Sequence, residues 1–240
     1  MPVAASKKVF TAFLDLLWPP HCALCGARTD ADPICRECES EIPPIGGKFC
    51  PGCGNPVIDE YCPEHPDEPY PYFMPAFLFG EGIRELIHML KYSGRQDIGL
   101  HLGRRLGELF GEHFRDIDGI LPVPLHPARK RERGYNQSAV IAAGLAEVLD
   151  LEIFDSLIRR RKNTKSQTRL DAAQRRDNIS GAFEPARDIS GVRLALLDDV
   201  ITTGATSREV AKCVREVGGI VDFAVCIARP SRDESREYDI

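Results

Sequence analysis

Apolar positions along the chain change their period several times, and each change marks an element. Val9, Phe10, Phe13, Leu14 and Leu17 recur at helical spacing and are stopped by Pro19-Pro20, which predicts a short amphipathic helix packing by one face. Between residues 19 and 75 periodicity vanishes: Pro and Gly are frequent, apolar residues are too few to build a core, and Asp67–Pro75 reads as an extended connection. The helical period returns at Ile83, Leu86, Ile87 and Leu90, and again at Ile98, Leu102, Leu106, Leu109 and Phe110. Ile117 to Val123 reads as a strand, Val140, Ile141, Leu145 and Val148 as a helix, and Leu151–Phe154 as a brief strand. Leu194–Leu197 forms a buried strand, Ser207–Val217 a helix, and Ile220–Ala228 a last strand. Strands alternating with helices predict an α/β fold with a mostly parallel central sheet flanked by helices. The pattern divides the chain into an N-terminal helix over 1–18, a small module over 19–75, an α/β domain over 76–230 and a polar tail over 231–240.

The run Leu194-Ala195-Leu196-Leu197 ends in Asp198 and Asp199 and then in the turn Thr202-Thr203-Gly204-Ala205-Thr206. Two adjacent acids at the end of a buried strand are costly unless they bind something. The carboxyl ends of parallel strands are where open α/β sheets hold ligands. Hydroxyls and backbone N–H groups at a helix N-terminus favour phosphate. Carboxylates suited to sugar hydroxyls or a hydrated cation, followed by a phosphate cradle, point to a sugar phosphate.

Seven of the nine cysteines lie before residue 63, six of them as Cys-x-x-Cys pairs. Each knuckle brings two soft ligands to one tetrahedral zinc, and two knuckles complete a shell. Sequential pairing gives one site from Cys22, Cys25, Cys35 and Cys38, and a second from Cys50, Cys53, Cys62 and His65; spacing alone leaves a cross-braced pairing open. Both shells are closed, so the zinc is expected to be structural and to supply folding energy that the apolar-poor region lacks. Thiolate sites fit a reducing cytoplasm. Cys213 and Cys226 fall in apolar patterns and read as small core residues.

Charge changes the picture only locally. The chain carries a formal net charge of −5, which gives no global sign of nucleic-acid binding. Yet residues 159–176 hold Arg159, Arg160, Arg161, Lys162, Lys165, Arg169, Arg175 and Arg176 against the single acid Asp171, so an anion is expected there. No aromatic residue lies between Phe154 and Phe183, which weakens a base-stacking role for that loop. No stretch of 18 apolar residues exists to cross a membrane. Lys7 and Lys8 precede an apolar run, but Asp15 interrupts it and no small-residue cleavage site precedes Cys22, so a signal peptide is not expected.

The segment from Leu194 to Thr206 resembles the signature of type I phosphoribosyltransferases: four apolar residues, two acids, two apolar residues, then Thr-Thr-Gly-x-Thr. Three further stretches, Lys91-Tyr92-Ser93-Gly94, Pro122 to Gln137 and Arg159 to Asn178, extend the likeness. Together with the cysteine module they resemble the ComF family, in which a double zinc ribbon precedes a phosphoribosyltransferase domain. The resemblance implies a type I phosphoribosyltransferase fold and 5-phosphoribosyl-1-pyrophosphate with Mg²⁺ as ligand. It places Asp198 and Asp199 on the ribose hydroxyls and Thr202, Thr203, Gly204, Ala205 and Thr206 on the 5′-phosphate. Val123, Pro124, Leu125, His126, Arg131 and Arg133 would meet pyrophosphate, and Arg161 and Lys165 would belong to a catalytic loop closing over it. Purine-salvage members carry an acid where Thr202 stands, so purine salvage is not expected. The family's association with natural competence adds single-stranded DNA, and DNA-uptake or recombination proteins docking on the zinc ribbon, as candidate partners.

Overall fold

The computed structural model describes residues 19–58, 62–161, 181–187 and 189–230. The expected N-terminal helix, the tail and most of the basic loop lie outside the described residues. The chain forms two compact units that meet in sequence at Pro43 and Pro44, inside the 19–75 stretch.

In the first unit, the chain turns back on itself at the Cys22–Cys25 knuckle. Cys22 N–H donates to Ala27 O at 2.7 Å and Gly26 N–H to Cys22 O at 2.9 Å. Helix α1, Arg36–Ser40, begins inside the second knuckle, with Cys35 at its N-cap and Cys38 in its middle. The second unit opens with the same turn in the same register: Cys50 N–H donates to Asn55 O and Gly54 N–H to Cys50 O, both at 2.8 Å. The repeat of knuckles is thus a repeat of structure.

The rest of the second unit is built on a five-stranded sheet. Its strands are β1 (Phe73–Leu78), β2 (Gly119–Pro122), β3 (Glu152–Ile153), β6 (Arg193–Val200) and β7 (Ile220–Arg229), in the order β1-β7-β6-β2-β3. Every pairing in it is parallel. A separate antiparallel pair, β4 (Ile158–Arg160) with β5 (Phe183–Pro185), forms the stem of the basic loop. Helices α2 (Glu81–Tyr92), α3 (Gln96–Phe110), α4 (Pro127–Arg133), α5 (Gln137–Leu149) and α6 (Ala205–Glu216) connect the strands.

Strand β6 shows why both faces are covered. Leu194 and Leu196 join Val210, Ala211 and Val214 of α6 in one apolar cluster. Ala195 and Leu197 alternate to the other face and are equally buried, where α5 packs on β2, β3 and β6. Helices α3 and α5 cross at backbone contact: a Cβ on Gly103 would come within 2.0 Å of Ile141 O, and one on Gly144 within 2.1 Å of Leu100 O. Cys213 and Cys226 are buried in the core, as their apolar surroundings predict.

Strand β1 was not foreseen, because Pro75 sits in its middle and the preceding Pro-rich stretch reads as a connection. A proline is tolerated on an edge strand, and β1 is the outermost of the five. Its outer side is met by residues 45–49: Ile45 N–H donates to Ala76 O, and Phe49 and Phe73 exchange two backbone hydrogen bonds at 2.8 and 2.9 Å.

Candidate functional site

Strands β2 and β6 end side by side, since Pro122 pairs with Leu197. The loops leaving their carboxyl ends, with α2 opposite, enclose a cleft of about 760 Å³. Parallel strands bring all such ends to one edge, so residues far apart in sequence converge there.

Asp198 and Asp199 close β6 at the floor of this cleft. Asp198 Oδ1 accepts from Asp199 N–H at 2.9 Å and from the Ser138 hydroxyl at 3.2 Å. Asp199 Oδ1 accepts from Val200 N–H at 2.8 Å, and its other oxygen pairs with Lys91 Nζ at 2.8 Å. Burial and the neighbouring carboxylate push the Asp198 carboxyl up to about 8. Burial also disfavours ionisation of Asp199, but the Lys91 ammonium outweighs it and holds that carboxyl below the usual range. The two adjacent acids are therefore pushed in opposite directions: the Lys91 ammonium favours the charged form of Asp199, and burial beside that charge disfavours the charged form of Asp198.

The turn after β6 lines the cleft through Thr202, Thr203, Gly204, Ala205 and Thr206 and runs directly into α6. Gly204 has φ +67°, a left-handed conformation in which a side chain is disfavoured. There is a second reason for glycine at this position: a Cβ would lie 2.8 Å from the carbonyl oxygen of Pro51.

Val123, Pro124 and Leu125 line the cleft at the end of β2. Asn136, which is buried, donates from Nδ2 to Val123 O at 3.0 Å and fixes that turn. Helix α4 follows it. His126 accepts from Ala128 N–H at 3.1 Å through Nδ1, so this side chain caps the helix and does not line the cleft. The lining arginines of this segment are Arg129 and Arg133; Arg131 is not among them. Arg133 lies over the Tyr92 ring, 5.0 Å from its centroid, and the Tyr135 hydroxyl donates to Leu90 O. Both contacts tie α2 to the α4–α5 turn.

At the stem of the basic loop, strand alternation turns Arg160 inward, where it is buried and lines the cleft. Arg161 is exposed and pairs with Glu184. The cation that the stem brings to the cleft is therefore Arg160, one residue before the expected Arg161; Lys165 lies outside the described residues. Lys91, Ser138 and Asn136 were not among the expected site residues, and Arg160 was expected only as one of the cations of the basic segment. Lys91 and Asn136 stand in stretches that carried the family resemblance, but only tertiary contact shows what they touch.

The two cysteine clusters assemble by sequential pairing. In each, the four donor atoms lie within 4.8 Å of one another. Cys25 Sγ and Cys35 Sγ are 3.6 Å apart, Cys53 Sγ and Cys62 Sγ 3.9 Å, and Cys62 Sγ and His65 Nδ1 3.6 Å. A tetrahedron with Zn–S bonds of ~2.3 Å has edges of ~3.8 Å, so both donor sets fit zinc, and each is closed.

Comparison with known proteins finds two matching family models. Residues 13–67 match the double zinc ribbon domain and residues 136–240 the phosphoribosyl transferase domain. Competence protein F of Haemophilus influenzae is 30% identical over 82% of this chain and 85% of its own length. The DNA utilization protein YhgH of Escherichia coli is 30% identical over 82% of this chain and 90% of its own. Competence protein ComFC of Bacillus subtilis is 26% identical over 77% and 79%. With two cysteine clusters that fit structural zinc and a parallel sheet ending in an acid pair and a Thr-Thr-Gly-Ala-Thr turn, the chain belongs to the ComF family.

Proposed function

We propose that this protein binds 5-phosphoribosyl-1-pyrophosphate with Mg²⁺ and transfers phosphoribose to an acceptor. The observation that carries the reading is the single cleft that joins an acid pair, a phosphate-type helix turn and arginines. The turn 202–206 offers backbone N–H groups and hydroxyls to the 5′-phosphate at the start of α6. Asp198 and Asp199 accept the ribose hydroxyls. The turn 123–125, with Arg129, Arg133 and Arg160 beside it, meets pyrophosphate.

In the transfer, the bond from the anomeric carbon to pyrophosphate breaks and its electron pair leaves with pyrophosphate. A lone pair on the acceptor forms the new bond, and the acceptor's proton passes to solvent. Positive charge grows on the ribose beside Asp198 and Asp199, while negative charge grows beside the arginines, so each fragment is stabilised where its charge develops. The paired carboxylates and the ligand's phosphates are oxygen donors suited to Mg²⁺, which would offset the leaving group's charge. Thr202 has no acid–base capacity, so the acceptor is not a nucleobase that needs a carboxylate base at this position.

Calorimetric titration with phosphoribosyl pyrophosphate and Mg²⁺ tests the reading: wild-type protein binds, and Asp199→Ala loses binding. Absence of heat at millimolar ligand would overturn it. The relatives' names, competence protein and DNA utilization protein, favour a second reading in which the site serves the handling of single-stranded DNA. Under that reading oligonucleotide affinity falls steeply with salt, and charge reversal across residues 159–165 weakens it.

A further inference from the structure

The second cysteine cluster does more than fold its own ribbon. Its knuckle places the Pro51 carbonyl, between the ligands Cys50 and Cys53, against Gly204 of the phosphate turn. The chain leaving the ligand His65 then grips the first turn of α6 twice. Glu68 Oε1 pairs with Arg208 at 3.2 Å, and Arg208 also donates to Thr203 O at 3.3 Å. The Tyr70 hydroxyl, fully buried, meets the Ser207 hydroxyl at 2.7 Å, and Ser207 donates to Gly204 O at 3.0 Å. Gly54, just past the knuckle, accepts from Arg229 at the end of β7 at 3.1 Å. Both arms of one metal-ligating loop therefore bear on the same five-residue turn.

We propose that the metal site formed by Cys50, Cys53, Cys62 and His65 holds the phosphate turn 202–206 in its binding conformation, with Pro51, Glu68 and Tyr70 as positioning residues. The physical reason is local. A turn with a left-handed Gly204 and a threonine-rich sequence has little intrinsic preference for one conformation, and its amides must point at one place to hold a phosphate. The knuckle provides a rigid wall only while its four ligands are joined, because among the described residues the apolar cluster around it is no larger than Cys50, Val57, Cys62 and Cys53. Metal occupancy and phosphate affinity are then linked, and the linkage runs both ways.

Hydrogen exchange on the full chain, without ligand, tests this directly. In Cys53→Ser, and in Glu68→Gln, which leaves every metal ligand in place, amides 202–208 are expected to exchange at least ~10-fold faster, while α5 is unchanged. Unchanged exchange at 202–208 in Glu68→Gln overturns the proposal, and this arm decides it if Cys53→Ser loses protection throughout. A ligand arm rests on the reading of residues 202–206 as the 5′-phosphate site. Ribose 5-phosphate affinity should fall ~10-fold in Glu68→Gln, with pyrophosphate affinity within ~2-fold of wild type, a range typical of site-to-site coupling. An equal fall for both ligands would mean general destabilisation and overturn a positioning role. If wild type binds neither ligand, the phosphoribosyl pyrophosphate reading fails, while the exchange result still decides the coupling.

Discussion

The two ribbons share one turn and differ in where they are built. Around Cys22 and around Cys50 the same pair of backbone hydrogen bonds closes the knuckle, and Gly26 and Gly54 take the same left-handed conformation, φ +73° and +69°. The first cluster belongs to the compact unit that ends at Pro43; the second belongs to the unit that carries the cleft. Phe49 pairs with the edge strand β1, and Arg229 stacks over Phe49 at 4.2 Å while bonding Gly54. A module that is one repeat by sequence is thus split by packing. Equal metal chemistry does not imply equal structural consequence.

The largest effect should come from removing metal at the second cluster. Cys53→Ser is expected to lower the main unfolding midpoint by ~10 °C or more, since structural zinc contributes folding free energy outright. Cys25→Ser should remove one zinc per chain and the exchange protection of Cys22 and Gly26 amides. Metal analysis beside calorimetry checks both, and equal shifts in the main transition would mean that the two clusters support the cleft-bearing unit equally. Gly204→Ala comes next. The left-handed backbone and the Pro51 carbonyl both oppose a Cβ, so we expect ribose 5-phosphate binding to weaken by ~10–100-fold at unchanged zinc content.

Smaller effects separate support of the turn from chemistry in the cleft. Tyr70→Phe removes one partner of Ser207 and should cost about 1 kcal/mol, read as a few degrees in the same transition. The acid pair has its own signature in pH. Asp198 is pushed up to about 8, above the ~3.9 of an unfolded aspartate. In that window the folded state binds more protons, so its stability falls as pH rises from about 5 to about 8. Asp198→Asn should flatten this slope, while Tyr70→Phe should leave it intact. Thermal melts across that range, without ligand, would show a slope preserved in Asp198→Asn if the assignment is wrong.

Much of the fold was legible because it is periodic. The helices around Leu86, Leu106, Ile141 and Val210 lie close to where apolar spacing placed them, as do the strands that hold Ile120, Leu196 and Val225. Strand β1 escaped because Pro75 disguises an edge position. Helix α4 escaped because Pro127 to Arg133 has no apolar face to mark it; His126 at its cap and Gly134 at its end, with φ +84°, define it instead. In the site, the acid pair and the Thr-rich turn could be read from one continuous segment. Lys91 could not, since its partner Asp199 is more than a hundred residues away. The choice of Arg160 over Arg161 depends on which face of a short stem looks into the cleft, and a run of three arginines carries no signal of that phase.

The available ligand chemistry is written in the chain alone: eight cysteine and histidine donors at knuckle spacing, two acids at a strand end, a phosphate-type turn and a concentrated run of positive charge. These are local patterns, and local chemistry needs only neighbouring residues. How these pieces are coupled is set by packing. The fold carries Ser138 to Asp198, Lys91 to Asp199 and Asn136 to the turn after β2, and packing on β1 sets the second knuckle against Gly204. Such contacts join segments separated by tens to well over a hundred residues, where no periodicity or spacing reaches, and the close approach of two backbones leaves in the sequence nothing more than a glycine.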